Sequence, residues 1–460
     1  MPDTHIVVLA AGKGTRMKSA LPKVLHQAAG LTLIDHVLRA ASSLEPTTTV
    51  VVVGHQAEQL QATVGKRPGL SFAVQEPQLG TGHALLQAAP ALGSATGTVL
   101  LLSGDVPLLR ADTLKRLRDV HERTGAVATV LTAVVDEPHG YGRIVRNGRG
   151  IASIVEHKDA TEAEREIREI NSGIYAFDVG PLFDALREIG SSNAQGEYYL
   201  PDLVKIYRAR GLTVETVTLD DAGEIMGVNS RKELAAVAAR LRMMKNDALM
   251  GEGVTIVDPA TTYIGPDVSV GADTILHPGV HLEGRTRIGS GCEIHSGVRI
   301  VDSTIDDRVL INNHCVITES HVASGAKLGP FAHIRPQSDI GEQAHVGNFV
   351  ELKKTALGKG AKANHLAYLG DATIGERVNV GAGTITCNYD GVHKHPTVIE
   401  EGAFIGSDSQ LIAPVRIGKG AYVAAGSSIT EDVPADALAI ARGKQVNKEG
   451  WVSRNKARKG

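Results

Sequence analysis

The chain has 460 residues, of which 42% are hydrophobic, 3% aromatic and 51 glycine, and it carries a net charge of −3 at neutral pH. That length accommodates roughly two to four domains. The charge gives no electrostatic case for a nucleic-acid partner, and no apolar run is long enough to predict a membrane span. The three cysteines, Cys292, Cys315 and Cys387, lack CxxC spacing, which argues against a zinc site and a disulfide framework and makes a reducing cytoplasm the expected compartment.

From residue 5 to residue 228, short β-branched apolar runs (Ile6 to Leu9, Val50 to Val53, Val99 to Leu102, Ala126 to Val135) alternate with helix-like segments (Leu31 to Leu44, Gly82 to Leu92, Asp112 to Thr124). This rhythm predicts an α/β domain built on a mostly parallel, doubly wound sheet. In such sheets ligands sit beyond the carboxyl ends of the strands. The opening MPDTHIVVLAAG has no basic stretch before its apolar run, so it reads as a first core strand and not as a signal peptide.

That strand leads into a loop of small residues, Leu9, Ala10, Ala11, Gly12, Lys13, Gly14, Thr15 and Arg16, ending at Met17. Its N–H groups could cradle phosphate while Lys13 and Arg16 neutralise it. The loop matches neither the Walker pattern, which ends in Gly-Lys-Ser/Thr, nor the dinucleotide pattern, which wants Gly where Met17 stands. By itself it is also compatible with a plain tight turn. Lys23 adds a third cation shortly downstream, and Ser103-Gly104-Asp105 puts a carboxylate after the run Val99 to Leu102. An Asp at a strand end serves as a turn former or cap as readily as a metal ligand. Beside three cations and a glycine loop it reads as a ligand of Mg²⁺, which prefers few carboxylates together with phosphate oxygens.

Ser230-Arg231-Lys232-Glu233 is a capping box, and Leu234, Val237, Leu241, Met244 and Leu249 follow at helical spacing before Gly251. These predict a linker helix over 230–251 whose apolar stripe packs, between a domain at 1–229 and a second at 252–460.

In the second half, Ile264, Val270, Leu276, Leu282, Ile288, Ile294 and Ile300 recur every sixth residue, and after one-residue slips the pattern continues through Ile334 and Leu352 to Ile429. Six matches neither the helical period nor plain strand alternation, so each hexad is a short strand and a turn, and three hexads make one triangular coil of a parallel β-helix. Gly follows many of the inward positions, among them Gly271, Gly341, Gly347 and Gly406, as expected of corners that need unusual φ and ψ. Flat outer faces of such a solenoid can pair with other subunits.

Residues next to an inward position point outward. Arg335 follows Ile334 and Lys353 follows Leu352, one coil apart, so stacking at about 4.8 Å brings the two cations together, an arrangement that calls for an anion such as phosphate. The next step, one residue shorter, places Tyr368 over Glu351. His365 lies three residues before Tyr368. Alone it is a surface histidine; beside a carboxylate and a phosphate clamp it is a candidate general base that Glu351 could orient. Residues 387–397 break the hexad register, as binding insertions on solenoids do. The tail from Lys444 to Lys459 is basic and holds the only Trp, Trp451.

The ordered set LAAGKGTRM, LPK, Gln75 with Gly80-Thr81-Gly82, GDVP, Gly140-Tyr141-Gly142-Arg143, Glu156, Asn171 and Gly227-Val228-Asn229 resembles the signature of sugar-nucleotide pyrophosphorylases. With the hexapeptide half behind it, the chain resembles, over essentially its full length, the bacterial family of bifunctional N-acetylglucosamine-1-phosphate uridyltransferase/glucosamine-1-phosphate acetyltransferases. Ser103 departs from the tyrosine frequent in that family, and Asn364 and Ala367 depart from its commoner small and hydroxyl residues. The resemblance implies a left-handed β-helix and a homotrimer with glucosamine 1-phosphate, acetyl-CoA and UTP as substrates. It implies that Leu9, Ala10, Ala11, Gly12, Gln75, Gly80 and Thr81 hold the nucleotide and that Gly142, Glu156 and Asn171 hold the amino sugar. Asp105 and Asn229 would share Mg²⁺, with Lys23 and Arg16 aligning phosphates. On the solenoid it implies His365 as the base and Asn379 on the sugar, with Arg335, Lys353 and Tyr368 binding the sugar phosphate and Glu351 orienting the histidine. Ala382, Asn388, Tyr389, Ser407, Ala425 and Arg442 would hold acetyl-CoA. Cys387 is not needed as an acyl carrier, because a deprotonated amine attacks a thioester directly. Two other readings stand beside this one: a pyrophosphorylase whose solenoid only oligomerises or regulates, against which Arg335, Lys353, Glu351 and His365 tell, and a non-catalytic scaffold, against which Lys23, Asp105 and Asn229 tell.

Overall fold

In the first of two units, Met1–Leu241 and Arg242–Gly460, the strand Thr4–Ala10 is central to a sheet because both of its faces are covered. Ile6, Val7 and Val8 are all fully buried, Ile6 and Val8 in one apolar cluster and Val7 in another, which is why the run is continuously apolar. The computed structural model describes residues 2–148 and 150–458; Lys459, the last residue of the basic tail, lies outside them. The sheet order is Val214–Thr218, Ala128–Val134, Glu169–Asp178, Thr98–Ser103, Thr4–Ala10, Thr48–Val53, Leu70–Val74. Leu9 aligns with Ser103 on one side and Val52 on the other, both parallel, so the loops after Ala10, Val53 and Ser103 open at one edge. Glu169–Asp178 runs antiparallel to both its neighbours, and the hairpin Arg143–Asn147 and Gly150–Val155 extends from it.

The helix predicted over Gly82 to Leu92 is two helices, Thr81–Leu86 and Ala89–Leu92. Pro90 sits in the first turn of the second, where its missing N–H costs nothing, and it cannot serve in the interior of one continuous helix. The linker helix runs Arg231–Gly251, and the boundary between the two units falls inside it. The Ser230 hydroxyl accepts from Glu233 N–H at 3.3 Å, but the Glu233 carboxylate accepts from the N–H of Asn229 at 2.7 Å, one residue before the expected partner. The cap thereby holds Asn229. Val237 clusters with Met17 and Val228, and Leu249 belongs to the solenoid core. Met244 belongs to neither cluster and is exposed, against the expectation that the whole stripe packs.

The second unit contains three parallel sheets of 11, 10 and 9 strands, with successive strands of the chain passing from sheet to sheet. The hexad register holds: Leu276 pairs with Ile294, and Ile334 with Leu352 and then Leu369. The inward residues named above are buried in one continuous core, each contributing roughly 1.5–3 kcal/mol.

The glycines have a different cause from the one expected. Of the four named, none has a positive φ. A Cβ on Gly406 would meet the Ala425 backbone nitrogen at 2.5 Å, and one on Gly271 the Gly289 carbonyl carbon at 2.7 Å. These corners press directly on the next coil and leave no room for a side chain. Positive φ does occur at Gly329, which follows inward Leu328 as expected, and otherwise falls at other coil positions, both glycines such as Gly279 and Gly297 and polar residues such as Asp273 and Gln343.

Candidate active sites

At the carboxyl edge of the first sheet, a cavity of about 310 Å³ is lined by Leu9, Ala10, Ala11, Gly12, Lys23, Gln75, Gly80, Thr81 and Asp105. Gln75 is buried and fixed there by its amide, which donates to the Gly80 carbonyl at 3.0 Å and contacts His83 Nδ1 at 3.2 Å. The Thr81 hydroxyl accepts from Leu200 N–H at 3.2 Å. Lys13 and Arg16 are exposed and are not among the lining residues, because the turn Thr15–Met17 buries Met17 and turns its neighbours outward. Gln78 and Glu197 line the cavity as well; neither belongs to a recognisable motif, so sequence reasoning missed them.

The Lys23 ammonium bonds both the Asp105 carboxylate and Asn229 Oδ1, the latter at 3.2 Å. Asn229 arrives there from the far end of the unit because Val228 N–H donates to the Asp105 carbonyl at 2.9 Å. Two oxygen donors thus converge on one positive charge, an arrangement that fits a hard divalent cation with few protein ligands.

Gly142, just before the strand Arg143–Asn147, and Glu156, just after Gly150–Val155, are brought together with Asn171 on Glu169–Asp178. Asn171 N–H donates to the Gly142 carbonyl at 2.9 Å, and a Cβ on Gly142 would lie 3.3 Å from the Glu156 carboxylate and 3.5 Å from Asn171 Cβ. Gly142 is thus packed closely against Ile154, Glu156 and Asn171, with little room for a side chain. Burial pushes the Glu156 carboxyl above its ordinary value, with Asp159, Asp202 and Glu197 adding to the shift, which suits hydrogen bonding to neutral hydroxyls more than ion pairing.

On the solenoid, Glu351 stands opposite Tyr368 in register, as coil spacing predicts. Arg335 is not left facing Lys353 alone: its guanidinium bonds Glu351 at 2.7 Å. Lys353 meets another cation, Lys394, whose ammonium, followed by the Arg335 guanidinium, holds Lys353 below its ordinary value. Lys394 reaches this place on the register-breaking insertion, where Tyr389 and Lys394 form an antiparallel bridge. Asp390 closes the turn by accepting from Val392 N–H at 2.7 Å and His393 N–H at 2.6 Å. The position of Lys394 has no sequence signal, because the insertion has no period.

His365 Nδ1 lies 2.9 Å from Asn348 Oδ1. The partner that orients the ring is therefore Asn348 and not Glu351, which is engaged with Arg335. Asn348 and His365 are aligned on adjacent coils, the same shortened step that relates Glu351 to Tyr368, so coil spacing could have revealed it. The Asn388 amide donates to Asp371 at 2.6 Å, and a Cβ on Gly370 would meet the Tyr368 hydroxyl at 2.5 Å and the Asn388 amide at 2.7 Å. Tyr389 is exposed on the insertion. Asn379 lies on a different sheet, aligned with Lys362. Ala382, Ser407, Ala425 and Arg442 follow one edge from coil to coil: Asp408 N–H donates to the Ala382 carbonyl at 2.7 Å, Gly426 N–H to that of Ser407 at 2.8 Å and the Arg442 guanidinium to that of Ala425 at 2.6 Å. Burial pushes the Cys387 thiol up, away from thiolate chemistry.

The model of the MobA-like NTP transferase domain family matches residues 6–170, and that of the bacterial transferase hexapeptide (six repeats) matches residues 261–302 and 396–431. Over 456 residues the chain is 51% identical to the Bifunctional protein GlmU of Shouchella clausii, covering 99% of this chain and 100% of that one. It is 52% identical over 452 residues to the protein of the same name from Trichlorobacter lovleyi, covering 98% of each. A third, from Geobacillus thermodenitrificans, is 50% identical over 460 residues and covers 100% of both.

Proposed function

The chain belongs to the family of bifunctional GlmU proteins, and from that premise we propose how its residues divide two reactions. It is an acetyltransferase and a uridylyltransferase of UDP-N-acetylglucosamine synthesis. We assign uridylyl transfer to residues 1–229 and acetyl transfer to residues 252–460.

In the first reaction the amine of glucosamine 1-phosphate must lose a proton before it attacks the thioester carbonyl of acetyl-CoA, since an ammonium has no lone pair. His365 accepts that proton at Nε2, the nitrogen left free when Nδ1–H donates to Asn348. The C–N bond forms as the C–S bond breaks, and the proton held by the imidazole passes to the departing thiolate. Arg335, Lys353 and Lys394 clamp the sugar phosphate. Tyr368 and Asn379 contact the sugar, and Glu351 holds Arg335 in place. Asn388, Tyr389 and the edge formed by Ala382, Ser407, Ala425 and Arg442 receive acetyl-CoA.

In the second reaction the product's phosphate, ionised at neutral pH, attacks the α-phosphorus of UTP and pyrophosphate leaves, so no general base is required. The nucleotide occupies the cavity around Gln75, Gly80 and Thr81, and the amino sugar lies over Gly142 between Glu156 and Asn171. Asp105 and Asn229 would hold Mg²⁺, which supplies positive charge to the phosphate oxygens. Lys23, with Lys13 and Arg16 from the exposed part of the glycine loop, aligns and neutralises the same phosphates.

The exposed side chains of Phe331 and Phe349 stack at 5.4 Å, and exposed Leu366 follows His365. This apolar edge supports a homotrimer in which a neighbouring subunit covers the acetyltransferase site. Among the described residues no helix is long and apolar enough to cross a membrane, and a cytoplasmic enzyme is the reading we adopt.

The observation that carries the reading is that two charged clusters, a cation-ligand pair Asp105 and Asn229 bonded to Lys23, and the phosphate clamp Arg335 with Lys353 and Lys394, lie in separate units. Assaying Asp105→Ala and His365→Ala for both activities tests it. Asp105→Ala abolishes uridylyl transfer and spares acetylation; His365→Ala lowers acetyltransferase kcat on the order of a hundredfold and spares uridylyl transfer. Loss of both activities in either folded variant would refute the division.

A further inference from the structure

Outside the residues assigned to either reaction, we propose that His277, Glu293 and His295 form a site for a late first-row divalent ion, with Zn²⁺ the best fit, that staples two adjacent coils of the β-helix. The pairing of Leu276 with Ile294 places the residues that follow them, His277 and His295, side by side on the outer face. Their rings stack with centroids 4.5 Å apart and planes 6° from parallel. Both Nε2 atoms lie close to the same carboxylate oxygen, Glu293 Oε1, at 3.2 Å from His277, which hydrogen-bonds it, and 3.3 Å from His295.

Bonds of about 2.0–2.1 Å from Zn²⁺ to nitrogen and oxygen put two ligands of a tetrahedron roughly 3.3 Å apart. The two His–Glu separations match that edge, and a turn of the rings out of their stacked orientation brings both in-plane Nε2 lone pairs onto one ion. Two imidazole nitrogens with one carboxylate oxygen suit Zn²⁺ and its neighbours in the first transition row; Mg²⁺ and Ca²⁺ prefer oxygen throughout. The alternative, an ion pair in which both rings are protonated, would set two cations face to face against a single carboxylate. A metal keeps both rings neutral. All three side chains are partly exposed, so the site is reachable from solvent and its fourth position is open to water.

The place in the fold suggests the purpose. Thr255–Ile256 begins this sheet and pairs on one side only, with Ile275–Leu276. The proposed ion joins the second and third strands, just inside the end that the last turns of the linker helix cover, where Leu249 packs into the solenoid core and the Asn246 amide donates to the Thr262 carbonyl at 3.1 Å, and it adds a cross-link between the first coils.

The test uses the full chain, freed of metal with a chelator and titrated with Zn²⁺ alone by calorimetry, and with Co²⁺ for its visible spectrum. We expect a site that Asp105→Ala retains and that His277→Ala and His295→Ala each weaken by roughly tenfold or more. The absorption of tetrahedral Co²⁺ should vanish in both histidine variants, and Zn²⁺ should raise the thermal midpoint of the parent and not of the variants. Glu293→Gln, which preserves shape, should bind more weakly than the parent and so guards against a folding defect in the alanine variants. Zn²⁺ binding by His277→Ala and His295→Ala equal to the parent's, or no Zn²⁺ binding by the parent, would overturn the proposal.

Discussion

Replacing Asn348 by alanine separates orientation of the acetyltransferase base from the base itself. Asn348 Oδ1 accepts a hydrogen bond of 2.9 Å from His365 Nδ1, which fixes the tautomer whose Nε2 lone pair can take a proton from the amine. A net hydrogen bond is worth about 0.5–1.5 kcal/mol, and His365 is exposed, which favours the lower part of that range. The expected loss in kcat is therefore roughly two- to fivefold, well short of the hundredfold expected from deleting the imidazole. Asn348→Asp gives the sign. A carboxylate beside the ring stabilises the imidazolium, so the acid limb of the pH profile of kcat/KM should move to higher pH. The assay follows release of free CoA thiol from acetyl-CoA with glucosamine 1-phosphate as acceptor, across the acid and neutral range. If Asn348→Ala costs as much as His365→Ala, or if neither Asn348 variant changes rate or profile, this contact does not orient the base.

Lys394→Ala should raise the KM for glucosamine 1-phosphate by about tenfold and leave uridylyl transfer unchanged; steady-state kinetics of both reactions checks it. Gly358→Ala should lower the free energy of unfolding by ~1–3 kcal/mol, read as a lower urea midpoint, because its Cβ would lie 2.6 Å from the Gly375 carbonyl carbon and 2.7 Å from Glu376 N. An unchanged midpoint would show that the coils can separate freely. Burial pushes the His121 imidazole down to about 4, so the unfolded chain takes up a proton near pH 6.5 that the folded chain refuses until about pH 4. Stability from this group is full above pH 6.5 and is lost as pH falls toward 4, a total on the order of 3 kcal/mol. His121→Asn should flatten that part of a plot of urea midpoint against pH.

The division of the chain into an α/β half and a solenoid was legible in the sequence because both depend on short-range periodicity. Ile6 to Leu9 and the hexads from Ile264 onward each repeat the demands of a backbone whose neighbours are fixed by geometry. The stacking of Glu351 under Tyr368 followed from counting residues per coil. What the tertiary structure alone decided lies where periodicity stops. Lys394 reaches Lys353 on an insertion that belongs to no hexad. Asn229 meets Asp105 and Lys23 through a helix cap that uses one residue earlier than expected. The outward turn of Lys13 and Arg16 away from the cavity lining, and the preference of His365 for Asn348 over Glu351, depend on side-chain directions and competing partners. The glycine corners mark the same limit. Their positions were visible in the sequence, but their cause is the backbone of the next coil at 2.5 Å from where a Cβ on Gly406 would stand, a contact made only once eighteen residues have wound back upon themselves.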